Sequence, residues 1–471
     1  MSAPTAIAPS TGLSALLDDV RAEAPGIEVR PPSAETTAFA YDAATAPRHG
    51  AAGLDGPAVA FPASAEQVQQ LVRLAARHGV SVVPRGAGTG LSGGASAHAD
   101  QLVITTERLN RIVEVSPADE VAVVEPGVLN AALNDHLAPL GLFYAPDPAS
   151  WRISTIGGNI ATNAGGLRCA KYGVTRESVL ALDVVLADGS LVSIGHRSIK
   201  GVTGLDLVSL FVGSEGVLGI VVRATVRIRP LPVARRTVTA FFDSTAAGAA
   251  GIGAITASRV RPSVIEFLDE PTLDAIDAAN ASGLRARGAS LLLIELDGFG
   301  IDEQTAELTI ALEAAGARVE TEGDADAQLL WELRRAGRRL GEGSWFVAGD
   351  IAVPKSRIAE VFAGFPEIEA RYGVAVSAVS HAGDGNLHPV ITLPIPAGAD
   401  PSAVPRVLHD AADDLVRAAL AVGGTVSGEH GIGTVKRELA AEELAERVRV
   451  AQLAIKNALD PAGLFNPGKA L

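Results

Sequence analysis

Two stretches of the chain collect the residue types that hold metal ions and move protons. The first, His381-Ala382-Gly383-Asp384-Gly385-Asn386-Leu387-His388, lies between two apolar runs that read as strands, 374–380 and 390–393. A glycine-containing loop there can turn both imidazoles inward. The second, Ser427-Gly428-Glu429-His430-Gly431-Ile432-Gly433, adds a carboxylate and a third imidazole. His381, His388 and Glu429 would form a two-histidine, one-carboxylate set with an open position, as catalytic metal sites require. The spacing matches no zinc-finger pattern, and the alternative is that these histidines cap turns or lie on the surface. His430, beside the carboxylate, titrates near neutral pH and suits a general base; an alcohol oxygen on a cation loses its proton more easily, as metal-held water does. Arg334 and Arg335 can pair with a substrate carboxylate through a bidentate fork. Arg338 and Arg339 follow at helical spacing, so a solvated helix face is the competing reading.

A different chemistry is suggested by Pro84-Arg85-Gly86-Ala87-Gly88-Thr89-Gly90-Leu91-Ser92-Gly93-Gly94, with five glycines in eleven residues. Such a stretch is neither helix nor strand. Glycine allows positive φ and close approach of a ligand, and successive N–H groups in such turns form nests for phosphate oxygens. Gly88, Gly90 and Gly93 match a dinucleotide fingerprint in spacing, yet that fingerprint needs a helix opening on its last glycine. Here 95–100 reads as a second loop, followed by a strand over 102–105. A P-loop is excluded by the missing Gly-Lys-Ser/Thr. Two further glycine-rich regions follow, from Pro146 to Gly173 and from Phe211 to Ile220. Three such segments imply a long ligand touched at several points, and a dinucleotide is the economical choice; an ordinary surface loop is the alternative.

The elements that must position these residues can be read from periodicity. Ser64 and Gln67 form a capping box ahead of a helix with Val68, Leu71, Val72 and Ala75 on one face, ended by Gly79. A strand over 80–83 feeds the glycine loop. Strand 121–124 precedes a helix with Leu129, Ala132, Leu133 and Leu137 on its apolar face. Asp188-Gly189 turns a hairpin, and an alternating strand, 222–228, stops at Pro230. Arg229-Pro230-Leu231-Pro232 is the expected domain break. Beyond it, strands 264–268, 291–296, 345–353 and 374–380 alternate with helices 308–314, 329–340 and 358–368. That pattern predicts an α+β domain with helices on one face of a mainly antiparallel sheet.

With 471 residues the chain exceeds one core and implies two or three domains. It carries 48% hydrophobic and 20% charged residues, a globular composition. No apolar run approaches the roughly 18–20 residues of a membrane span, and the N-terminus lacks a signal-peptide pattern. One cysteine, Cys169, rules out an internal disulfide framework and fits a cytoplasmic location. The net charge of −15 argues against nucleic-acid binding.

Taken together, PRGAGTGLSGG, PDPAS, TIGGN, NAGG, KYG, VGSEGVLGI, HAGDGNLH, SGEHGIG and LFNPGK occur in the order found in FAD-linked 2-hydroxyacid dehydrogenases. From Tyr41 to Leu471 the chain resembles that family, which includes the flavin subunit of glycolate oxidase, D-lactate dehydrogenases and D-2-hydroxyglutarate dehydrogenase. It lies within the vanillyl-alcohol oxidase / p-cresol methylhydroxylase superfamily. The resemblance implies an α+β fold: a two-subdomain FAD-binding domain of p-cresol methylhydroxylase type (1–230), an α+β cap domain with a mainly antiparallel sheet (231–420), and a C-terminal segment (421–471) returning to the cofactor. It implies non-covalent FAD, because the cofactor loop lacks a tethering histidine. The loop residues Pro84, Arg85, Gly86, Ala87, Gly88, Thr89, Gly90, Ser92 and Gly93 would wrap the pyrophosphate. Pro146, Ser150, Gly157, Gly158, Asn163, Gly165, Ile220 and Asn466, with Lys469, would line the rest.

By the same likeness His381, His388 and Glu429 are ligands of zinc or manganese, His430 the base, Arg334 the carboxylate reader, and Asn386 a neighbour of the metal. The expected reaction is oxidation of a D-2-hydroxyacid to the 2-oxoacid, with the electrons passed on to an unidentified acceptor and a homodimer as one option. The lysine that some relatives place just before the residue matching Asp350 is missing from Ala348-Gly349-Asp350, which disfavours a dicarboxylate substrate unless Arg338 replaces it. Two other classes stay open: a flavin-binding subunit without catalysis, and a metal-dependent hydrolase with a nucleotide-binding domain.

Overall fold

The computed structural model describes residues 11–46, 55–336 and 343–471. The chain divides into two compact units: Met1–Ala164 with Val174–Leu231 and His430–Leu471, and Gly165–Gly173 with Pro232–Glu429. Residues 421–429, expected in the C-terminal segment, thus lie in the second unit, and the division falls at the Glu429–His430 peptide bond. Arg338 and Arg339 lie outside the described residues.

The first unit holds two main sheets. In one, Ala58–Phe61 and Val82–Arg85 both run parallel to Leu102–Thr105, and Glu28–Arg30 closes the far edge antiparallel. Helices Thr11–Glu23 and Ala65–His78 cover it, burying Leu13, Leu16, Val68, Leu71 and Val72. Ser64 caps the second helix by accepting from the Gln67 N–H at 3.3 Å. The reciprocal bond of the expected capping box moves one residue outward, because Gln67 Oε1 takes the Ala63 N–H at 2.7 Å. The following strand starts later than the apolar pattern suggests. Val80 N–H returns to Ala75 O to close the helix, and Val82 N–H is the first to pair outward, with Leu464 O at 2.8 Å. Asn466 N–H then bonds Val82 O at 2.9 Å, so the C-terminal tail lies along the strand that leads into the glycine loop.

The other sheet of this unit is fully antiparallel, in the order Ile112–Ser116, Val121–Val124, Ile220–Arg227, Val179–Val185, Leu191–Gly195. Helix Asn130–Leu137 buries Leu133 and Leu137 of the expected face together with Asn130, whereas Leu129 and Ala132 are exposed. Leu129 is its extended N-cap, which delays the helical phase and leaves that side chain 38% exposed.

The second unit is built on one antiparallel sheet, ordered Arg318–Thr321, Arg235–Phe242, Ser290–Asp297, Val264–Leu268, Ala375–His381, Asn386–Pro394, Ser344–Ala348. Helices cover both faces, not one. Leu273, Ile276, Leu330, Trp331 and Leu333 pack on Val264, Leu268, Leu291 and Leu293. On the opposite face Phe362 meets Phe267 edge-on at 5.0 Å, and Gly251 lies against Phe242. Every residue of Val264–Leu268 is buried, as near-continuous apolar strands require when both faces are covered. The expected strand over 345–353 is interrupted: Gly349 N–H bonds Pro389 O at 2.7 Å, and the chain re-enters the sheet only at Ile351–Ala352. That break turns Asp350 inward, to 1% exposure.

Candidate active site

In the first unit the glycine loop borders a groove. Of the residues expected at the cofactor, Pro84, Arg85, Gly86, Gly88, Thr89, Gly90, Ser92, Gly157 and Ile220 line it. A second cavity shares Arg85 and Gly86 with it and includes Ala87. Several of these positions require glycine. A Cβ on Gly86 would stand 2.5 Å from Thr155 Oγ1, and one on Gly157 would stand 2.5 Å from Pro126 Cβ. Among the described residues, the five successive backbone N–H groups from Ala87 to Leu91 make no hydrogen bond. Unsatisfied donors in a glycine turn suit an anionic ligand, so the loop fits the pyrophosphate of FAD.

The loop is held from beneath by charged groups that are themselves consumed. Arg85, 8% exposed, donates Nη1 to Tyr41 O (2.8 Å) and Ala95 O (3.0 Å), and Gly88 packs directly on its guanidinium. Its guanidinium is thus tied to the backbone that carries the loop. Lys469 is 6% exposed and donates to Gly94 O at 3.0 Å, to Asn466 Oδ1 at 3.1 Å, and to Ser96 O. Burial draws its ammonium down to about 8, while Asp42 and Glu215 pull the other way. Asn466 Nδ2 bonds Glu215 O at 2.7 Å and Gly94 O at 3.2 Å. Glu215 accepts the Ile432 and Gly433 N–H groups at 2.8 Å each, and so fixes the turn that begins at His430. Burial raises its carboxyl above the ordinary range against those two bonds.

Other expected cofactor residues lie off both cavities. Gly93 sits against Thr434, and Gly158 serves the Thr155 helix cap. Asn163 is the left-handed C-cap of helix Ile156–Thr162, with Oδ1 taken by the Arg176 N–H at 2.9 Å. Pro146 O receives Asn130 Nδ2, and Ser150 O closes a turn with the Ile153 and Ser154 N–H groups. Gly165 belongs to the second unit, where a Cβ would stand 2.6 Å from Glu429 Oε2.

In that second unit the two histidines are not in a loop. His381 ends one strand and His388 lies in the next, with a turn over 382–385 between them. Register pairs His381 with Asn386 and Val379 with His388, which puts both imidazoles on one face. Their rings are 5.0 Å apart and nearly perpendicular. Glu429 Oε1 lies 3.2 Å from His388 Nε2 and 3.6 Å from His381 Nε2. Two donors on a tetrahedral cation at ~2.1 Å stand roughly 3.4 Å apart, so the three residues fit a divalent ion. The electrostatics agree. Burial depresses His381, but Glu266 and then Glu429 hold it well above its ordinary value. Burial raises Glu429, but His381 and His388 more than reverse this and hold its carboxyl well below the usual range. The pocket is thus built around a positive charge, which a cation would supply in place of a proton.

Arg334 points into the fold, with its side chain 9% exposed, whereas Arg335 is exposed. Its Nε and Nη2 both bond Glu266 Oε2. Glu266 Oε1 in turn receives His381 Nδ1 at 2.6 Å. Asn386, expected beside the metal, spends both Nδ2 hydrogens on Asp350 Oδ1 and Ile351 O, each at 2.8 Å. Asp350 Oδ2 also accepts Ser427 Oγ at 2.7 Å and the Glu429 N–H at 3.3 Å. Glu215, Glu266 and Asp350 were missed as site residues. Glu266 did carry a signal, a lone carboxylate in the apolar strand Val264–Leu268, which must be paired to be buried.

A sequence profile for an FAD binding domain matches residues 57–195, and one for FAD linked oxidases, C-terminal domain, matches residues 231–470. The chain belongs to the FAD-linked oxidase family. Glycolate oxidase subunit GlcD of Bacillus subtilis is 38% identical to this FAD-linked oxidase over 420 residues, 88% of each chain. D-lactate dehydrogenase of Archaeoglobus fulgidus is 32% identical over 94% of this chain and 97% of its own. Among solved structures, p-cresol methylhydroxylase with substrate bound aligns with a TM-score of 0.78 at 19% identity, over 98% of this chain and 97% of that one. The α+β fold is therefore of the p-cresol methylhydroxylase type, and this FAD-linked oxidase is an FAD-dependent oxidoreductase. No helix among the described residues is long and apolar enough to cross a membrane.

Proposed function

We propose that this FAD-linked oxidase converts a D-2-hydroxyacid of the glycolate or D-lactate type to the 2-oxoacid. A zinc or manganese ion on His381, His388 and Glu429 would assist, with His430 as the base. The observation that carries the reading is the His381–His388–Glu429 donor set, joined through Glu266 to an inward-pointing arginine. The names of the relatives, a glycolate oxidase subunit and D-lactate dehydrogenases, support it.

When bound, FAD accepts a hydride equivalent and the divalent ion polarises an oxygen. The chain's own residues supply the rest. Arg334 has its Nε/Nη2 edge on Glu266, which leaves the Nη1/Nη2 edge for a substrate carboxylate. His430 takes the hydroxyl proton as the Cα–H bond gives up its electron pair, and the acid leaves as the oxoacid. Asp350 and Asn386 brace the ligand set instead of touching the acid. Gly86 to Leu91, with Gly157, would hold the pyrophosphate.

The test is an anaerobic screen of paired D- and L-2-hydroxyacids against the FAD-loaded protein, read as bleaching of the flavin. Bleaching by D-lactate or glycolate and none by L-lactate is expected. Indifference to every 2-hydroxyacid would refute the proposal.

A further inference from the structure

The geometry points to Glu266 as a positioning residue that sets cation affinity and hydroxyacid recognition together. This rests on the proposed function. Glu266 is fully buried at the centre of Val264–Leu268, in register with His381 on the neighbouring strand. His381 is in turn in register with Asn386 on the strand after it. One row across three strands therefore carries a carboxylate, a ligand imidazole and the amide that braces Asp350. A carboxylate with no exposure must be matched by donors, and Glu266 divides its two oxygens between two different partners.

Each half of that division has a consequence. Oε1 on His381 Nδ1, at 2.6 Å, fixes the proton on that nitrogen and leaves Nε2, 3.6 Å from Glu429 Oε1, as the ligand atom. Carboxylates behind ligand histidines commonly contribute 10- to 100-fold in metal affinity. Oε2 holds Arg334 through Nε and Nη2, and so decides which edge of the guanidinium remains for a substrate. The cation ligand and the carboxylate reader are thus tied to one side chain, and their separation is set by it. A hydroxyacid must present its hydroxyl and its carboxylate to these two points, both of which Glu266 holds.

The test compares wild type, Glu266→Gln, Glu266→Asp and Glu266→Leu as FAD-loaded proteins. Zinc and manganese dissociation constants are measured by chelator competition, and KM and kcat with D-lactate and glycolate. Glu266→Leu should bind either ion 10- to 100-fold more weakly and raise KM about tenfold or more. Glu266→Gln keeps an oxygen for His381 but presents N–H groups to Arg334. It should therefore retain more cation affinity than the leucine variant while losing as much in KM. Glu266→Asp keeps the charge but withdraws it by one methylene, and should fall between wild type and leucine in both. A purely structural residue would not separate the two constants in this way. The flavin spectrum and thermal midpoint establish folding, and if the leucine variant does not retain FAD the isosteric Gln variant decides. Variants that hold zinc and D-lactate as wild type does overturn the inference and leave the proposed function standing. A wild type that binds neither ion, with flavin reduction indifferent to chelator, removes the proposed metal role and this inference with it.

Discussion

Asp350 offers a prediction whose size can be worked from its partners. Its carboxylate accepts Asn386 Nδ2 at 2.8 Å, Ser427 Oγ at 2.7 Å and the Glu429 N–H at 3.3 Å, all at 1% exposure. Asp350→Ala deletes at least two strong charge-assisted bonds and one long one. At about 1.5–3 kcal/mol for each strong bond, with partial relaxation, the loss of stability should be about 2–5 kcal/mol. Asp350→Asn is more informative. The amide oxygen can keep the Asn386 bond, and its NH2 can face Ser427, whose hydroxyl can rotate to accept. The conflict that remains is with the Glu429 N–H, so the backbone beside a ligand is pushed away while the fold survives. The asparagine variant should therefore lose only about 1 kcal/mol of stability, yet bind zinc 10- to 100-fold more weakly. Thermal unfolding followed by flavin fluorescence gives the first quantity, and chelator competition on the FAD-loaded protein gives the second. An asparagine variant with zinc affinity within about twofold of wild type, against that 10- to 100-fold expectation, would show that Asp350 does not place Glu429.

Three further outcomes follow from the same geometry. His430→Asn should retain FAD and slow single-turnover flavin reduction by D-lactate at least ~10²-fold, the usual cost of a lost general base; near-normal reduction would remove His430 from the mechanism. Gly86→Ala places a methyl 2.5 Å from Thr155 Oγ1, the cap of helix Ile156–Thr162. It should weaken FAD binding and cost about 1 kcal/mol in capping, with part of the binding loss relieved by adding Thr155→Ala; equilibrium dialysis equal to wild type would contradict this. Lys469 gives a pH signature. Its native value of about 8 lies below the ordinary 10.5, so between those values the unfolded chain holds more protons and stability rises with pH. The rise, at most about 3 kcal/mol, should be missing from Lys469→Met, and identical slopes over that window in the two proteins would count against it.

Much of the candidate site was legible because its chemistry resides in residue types: the imidazoles and the carboxylate that the structure gathers, His381, His388 and Glu429, stand out in the sequence by kind alone. The glycine loop was readable for the same reason, since five glycines between two strands mark a turn whose backbone must lie close to its neighbours, as Gly86 does to Thr155. Geometry was less legible. Gly383 and Gly385 made 381–388 look like one loop, yet cross-strand pairing carries Ala375–His381 and Asn386–Pro394 up to a tight turn and puts both histidines in the sheet. Gly165 reads like its neighbours in a cofactor motif, but its small size serves Glu429. Glu266 was invisible as a partner because His381 and Arg334 are 115 and 68 residues away, distances that no local pattern spans. The helices on both faces of the second sheet had a local trace, the unbroken apolar runs, which the alternation rule alone does not capture.

The most direct measurement is anaerobic mixing of the FAD-loaded enzyme with D-lactate or glycolate, before chelation, after chelation, and after zinc or manganese is returned. The account predicts bleaching of the flavin that chelation suppresses and either ion restores. Bleaching that proceeds equally without the ion would contradict it.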